Sequence, residues 1–160
     1  MVDGNNNAVI GSQNNLQGNA NSVKGNQNTV SQDNNTVSGN LNTIGGNANT
    51  VAGDSNTVKG NENQIDGNQN MITEGDRNIV YGSDNAISGN ANAIQGNYNT
   101  LTGDSNLVAG NANSIAGDLN KVQGDANQLT GNSNAILGGS NVVSGDYNKI
   151  AGDSNAVQGN

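Results

Sequence analysis

The side chains in this chain that could act on something outside it are few and regularly spaced. Histidine and cysteine are absent, and 5 basic residues accompany 13 acidic ones. Eight of the acids (Asp33, Asp54, Asp76, Asp104, Asp118, Asp125, Asp146 and Asp153) share one position of a seven-residue repeat. Carboxylates at such a spacing raise the question of calcium, which takes several oxygen ligands. Two features favour a plainer role as turn formers. Asn occupies the same position in most other repeats, and the nine-residue Gly-Gly-x-Gly-x-Asp phrase of calcium-binding rolls is missing. Catalysis needs convergent titratable groups in a pocket, and nothing in the spacing supplies them, so neither enzyme activity nor a metal or cofactor is expected. The recurring Gly-Asn pair is no phosphate loop either, since no Gly-Lys-Ser/Thr ending follows it. The other candidate group is threonine. All nine Thr fall at two positions of the repeat, an arrangement that suits contact with an extended surface better than a pocket.

The repeat that places these residues is clearest at Gly46-Asn47-Ala48-Asn49-Thr50-Val51-Ala52, with places lettered a to g. Counted from Gly4, 22 repeats reach Gln158. Place d is Asn in all of them, and place f is always Val, Ile or Leu. Place a is Gly except at Gln32, and Glu74 is one extra residue at the end of the tenth repeat. Places d to g alternate, which predicts a short strand with d and f facing inward and e and g outward. Gly and Asn/Asp at a and b predict a tight turn, with c free. One such strand cannot bury its single aliphatic; stacked coils can. The inward Asn suits amide ladders between coils, among them Asn28, Asn42, Asn56, Asn70, Asn85, Asn99, Asn113, Asn127 and Asn141. An Asn there without a partner would cost about 1–3 kcal/mol. Glu74 is expected to bulge locally in a turn and leave the alternation intact.

The free places indicate how many strands make a coil. Seven Thr lie in even-numbered repeats, and only Thr36 and Thr50 in odd ones. Lys24, Asp66, Lys121 and Lys149 lie at the outward places of odd repeats, against Lys59 alone in even ones. Division by three gives no such separation. The expected fold is therefore all-β: a parallel β-roll, or β-solenoid, of two short strands per 14-residue coil and about 11 coils. It would be roughly 50 Å long at the ordinary strand spacing. With no linker or shift in composition, residues 1–160 are expected to form a single repeat domain.

Composition alone points elsewhere. Leu, Ile and Val make 30 of 160 residues and Phe is absent, a content close to that of disordered chains. Strict phase argues for order, with stability drawn from a dense backbone ladder. A net charge of −8 argues against nucleic acid and anionic membranes as partners. No apolar run approaches the roughly 20 residues of a membrane helix, and Met1-Val2-Asp3-Gly4 is no signal peptide. The compartment stays open.

Two faces follow from the repeat. The even face carries Thr29, Ser31, Thr43, Thr57, Thr73, Ala86, Ser88, Thr100, Thr102, Ser114, Ala116, Thr130 and Ser144, a flat array of short side chains. The odd face is rougher, with Ile79, Tyr81, Leu107 and Leu137 among its charges. The even face is suited to meet another periodic solid, or is merely a solvated strand surface.

Repeats such as Gly25-Asn26-Gln27-Asn28-Thr29-Val30-Ser31, Gly39-Asn40-Leu41-Asn42-Thr43-Ile44-Gly45 and Gly53-Asp54-Ser55-Asn56-Thr57-Val58-Lys59 resemble the x-x-Asn-x-Val-x-Gly repeat of the grass ice-binding, ice-recrystallisation-inhibiting proteins. The resemblance covers Gly4 to Gly159. It implies a β-roll with a Val core, Asn ladders and one flat Thr/Ser-rich face that adsorbs to ice and its ordered water. It also favours an extracellular setting. The family tends towards Thr-x-Ser/Thr on that face, whereas this chain interposes Lys59, Met71, Gln128 and Val142. The heptad-patterned heads of trimeric bacterial adhesins are also similar, though their inward places favour Ser and Ala. The alternative function is accordingly structural: an adhesin or stalk segment, or a filament, with no small-molecule ligand. Ordinary repeats run to both ends, with only Met1 to Asp3 and Gly159-Asn160 outside them, so bare strand edges invite end-to-end stacking. The apolar residues of the odd face offer a lateral contact.

Overall fold

The computed structural model describes residues 1–159; Asn160, expected beside the last strand edge, lies outside them. Twenty-three short strands, numbered β1 to β23 in chain order, run from β1 (Val2–Asp3) to β23 (Ala156–Gln158). Nearly all are the three residues of places e, f and g, with the middle one inward. The odd-numbered strands form a 12-stranded sheet, sheet I, and the even-numbered strands an 11-stranded sheet, sheet II. Every neighbouring pair is parallel and, Glu74 apart, joins equivalent places, as in Ala86 with Thr100 and Thr100 with Ser114. Successive partners are therefore one 14-residue coil apart, or 15 residues where the pair straddles Glu74. This is the parallel β-solenoid of two strands per coil that the distribution of Thr predicts.

The f residues form one continuous core from Leu16 to Ile150, none more than 8% exposed, with Val9 and Val157 packed against its ends. Each buried aliphatic contributes about 1.5–3 kcal/mol. The rest is hydrogen bonding. Asn99 donates both its backbone N–H (2.9 Å) and its Nδ2–H (3.1 Å) to Oδ1 of Asn85. Its second Nδ2–H goes to the Gly110 carbonyl at 2.9 Å. In turn its Oδ1 accepts both N–H groups of Asn113 at 3.0 Å. Every polar atom of this side chain is thus used, which is why place d admits only Asn. Among the described residues no buried side-chain nitrogen or oxygen lacks a partner.

A second, outer ladder runs along the turns in the opposite sense. At place b the backbone N–H of each coil donates to the side-chain oxygen of the next, as in Ser83 to Asn97 (2.7 Å) and Asn111 to Asp125 (2.6 Å). Only an acceptor is required there, so Asp serves as well as Asn. This accounts for the eight turn aspartates as backbone acceptors. Place c is not free in conformation. Its residue is left-handed in every repeat, with φ between 55° and 61°, whether Leu41, Arg77, Tyr98 or Leu119. For a side chain without local hydrogen bonding this costs about 1–2 kcal/mol. The ladder holds it in place, since the c N–H donates to the b carbonyl of the preceding coil, as in Leu119 to Asp104 at 3.0 Å.

Ahead of the last coil, the glycines at place a are needed twice over. Gly110 has φ +143°, and a Cβ there would lie 2.0 Å from the Gly124 carbonyl oxygen. Gln32 occupies the same place by turning φ down to 75°, and its Oε1 accepts the Asn47 Nδ2–H at 3.2 Å.

Two local expectations are corrected. The extra residue bulges within a strand and not in a turn: β11 (Met71–Glu74) is four residues long, and Glu74 takes the register opposite Ser88 in place of Thr73. The Asn ladder continues past it, Asn85 Nδ2 to Asn70 Oδ1 measuring 3.0 Å. In addition, the coil begins before Gly4. Val2 and Asp3 sit at places f and g and pair with Leu16 and Gln17.

Candidate functional face

With pairing along the roll fixed by the core and ladders, the e and g side chains stand outward in two rows on each sheet. All thirteen residues of the expected face lie on sheet I. Equivalent places on neighbouring coils stand about 4.7–4.9 Å apart, and e and g of one strand about 6.6 Å. In the e row, Thr29, Thr43 and Thr57 are in direct register. In the g row, Ser88, Thr102, Ala116, Thr130 and Ser144 run unbroken across five coils. Thr100 and Thr102 share one strand, both exposed. The backbone beneath them is tied by Asn99 and Asn113, so these hydroxyls and methyls form a rigid lattice.

The array is not uniform. Met71 (49% exposed) stands between Thr57 and Ala86 in the e row. Thr73 is displaced by the bulge, its Oγ1 lying 3.5 Å from the Ile87 carbonyl, and Glu74 puts a carboxylate on the face. Ser31 turns its hydroxyl back to the Ile44 carbonyl at 3.2 Å. Gln128 and Val142 interrupt the e row further on. The face thus has a Thr-rich patch near the N-terminal end and a longer Thr/Ser/Ala patch beyond Glu74. The sequence groups the residues correctly by sheet and shows Lys59, Met71, Gln128 and Val142 interposed, but not that Glu74 enters the face.

The pattern of the grass antifreeze beta roll matches residues 1–60, 40–138 and 72–160, which together span the chain. The chain belongs to the grass antifreeze β-roll family. No curated protein matches it. A crystal structure of the polySia-specific acetyltransferase NeuO aligns over 99% of this chain and 81% of its own at 14% identity, with a TM-score of 0.19, a likeness too slight to bear on fold or activity. Antifreeze β-rolls are not an enzymatic kind, and their name points to ice as the thing met. In this antifreeze β-roll the turn carboxylates are already engaged as acceptors for backbone N–H groups, among them Asp104 N to Asp118 Oδ1 at 2.7 Å. The most regular surface features are the outward rows of the two sheets.

Proposed function

We propose that this antifreeze β-roll adsorbs to ice through the outer face of sheet I and thereby slows ice recrystallisation. The observation that carries the reading is the segregation of threonine, seven of nine residues lying on that one sheet. Thr presents a methyl and a hydroxyl from a stiff, β-branched stem. Repeated at coil spacing, such groups hold water in rows that can merge with a growing crystal. Each contact is weak, but many act together, and a lattice fixed before binding loses little entropy on contact. Sheet II is a poorer candidate because Lys24, Asp66, Lys121 and Lys149 break its rows.

The test is ice recrystallisation inhibition by the purified chain at low concentration. Thr100→Lys with Thr102→Lys should abolish it, while Lys121→Ala on the opposite sheet should leave it intact. If the double variant inhibits as well as the wild type, sheet I is not the adsorbing face. If the wild type fails to inhibit at all and forms rods that lengthen with concentration, the structural alternative stands in its place.

A further inference from the structure

The outward side chains of sheet II have an order that reverses about β14 (Ala93–Gln95). One coil to one side stands Ile79 with Tyr81, and one coil to the other stands Leu107. Two coils away stand Asp66 on one side and Lys121 on the other. Three coils away, Ala52 on one side answers Leu137 on the other. In the e row Ile79 is thus mirrored by Leu107, while Asp66 in the g row and Lys121 in the e row stand at equal distance on opposite sides, one row apart. Ile79 and Leu107 are 41% and 48% exposed. Along one roll Asp66 and Lys121 are four coils apart, roughly 19 Å at ordinary strand spacing, so they do not pair within a single chain.

We propose that sheet II is the interface of a homodimer, with the two rolls face to face and their long axes antiparallel about a two-fold axis along β14. A two-fold interface must be self-complementary, and the mirrored order supplies that complementarity. Ile79 then meets the partner's Leu107, and Asp66 reaches the partner's Lys121 diagonally; symmetry makes each contact twice. The nearest like charges are Lys24 and the partner's Lys149, one coil and one row apart at the ends of the strip. The contact strip spans nine coils, about 40 Å long and 10 Å wide. Both faces together bury roughly 800–900 Å², the size of a weak, reversible association. Both copies of sheet I remain outward, so the proposal goes beyond ice adsorption and does not depend on it.

Analytical ultracentrifugation of the full chain from about 10 µM to 1 mM tests it. The expected result is a species of twice the 16.1 kDa mass growing in at the upper concentrations. Asp66→Lys alone and Lys121→Asp alone each set like charges against one another at two symmetric places, and each should weaken association about tenfold or more. An equimolar mixture of the two variants should associate as well as the wild type, because opposite charges face again only in the mixed dimer. Both positions are exposed, and circular dichroism of the variants checks that the roll is intact. A wild type that stays monomeric throughout overturns the proposal. So do species that lengthen beyond the dimer, and so does association indifferent to both substitutions and to their mixing.

Discussion

Replacing Asn99 by Asp is a substitution of nearly equal shape that should be severe, whereas the same change two residues earlier should be almost silent. Asn99 is fully buried. Its Nδ2 donates to Asn85 Oδ1 at 3.1 Å and to the Gly110 carbonyl at 2.9 Å. In Asn99→Asp an acceptor oxygen replaces both donors and faces two acceptors at that range. Two buried acceptors left short of donors cost about 1–3 kcal/mol each, so about 2–6 kcal/mol is lost before any charge is counted. A buried carboxylate near carbonyl oxygens adds to this and is pushed towards its neutral form. The folded-state pKa of the introduced acid is therefore raised. Its penalty is complete above that raised value and shrinks as pH falls towards the ordinary carboxylate pKa of about 4. Asn97, at place b, gives up only a 3.3 Å donation to Asn111 Oδ1 and keeps its acceptor role towards Ser83 N. Asn97→Asp should stay within about 0.5 kcal/mol of wild type. Urea titration followed by circular dichroism reads both, at neutral pH and near pH 3.5. Equal destabilisation by the two variants, or an Asn99→Asp deficit that grows on acidification, refutes the account of the inner ladder.

Other outcomes follow from the same geometry. Gly110→Ala would put a Cβ 2.0 Å from the Gly124 oxygen at φ +143°, and should lower stability by about 3 kcal/mol or more. Gly45→Ala meets only Ser31 Oγ at 3.5 Å and should be neutral or stabilising by up to about 1 kcal/mol; thermal unfolding midpoints compare the pair. Deleting Glu74 should restore a 14-residue coil, bring Thr73 opposite Ser88 and narrow the gap between the two patches of sheet I to Lys59 and Met71. Recrystallisation inhibition should then rise with the fold retained, and a fall would show that the bulge serves the face.

The strand, the core and the inner ladder were legible because each is enforced at every repeat by one side chain: aliphatic at f, Asn at d. The two-strand coil was legible in the parity of Thr. Other features left no mark in residue type. The left-handed conformation at place c is imposed by hydrogen bonding between coils, so Leu41 and Tyr98 adopt it and the sequence there looks unconstrained. The outer ladder accepts Asp and Asn alike, which reads as mere turn preference. Glu74 could be placed in the turn or in the strand without disturbing the alternation of faces, and only the pairing of Glu74 with Ser88 decides between them. Val2 and Asp3 carried a usable signal, since Val2-Asp3-Gly4-Asn5 has the order f, g, a, b. Met71 was legible as an interruption of the Thr face, but the carboxylate of Glu74 joins it only through the register with Ser88.

The central claim, that the protein adsorbs to ice through sheet I, is tested most directly by ice-affinity partitioning. A slowly growing ice ball should take up the wild-type chain and the Lys121→Ala variant from solution while leaving the Thr100→Lys/Thr102→Lys variant behind. Wild-type protein excluded from the ice, or a double Lys variant taken up as fully as wild type, would contradict it.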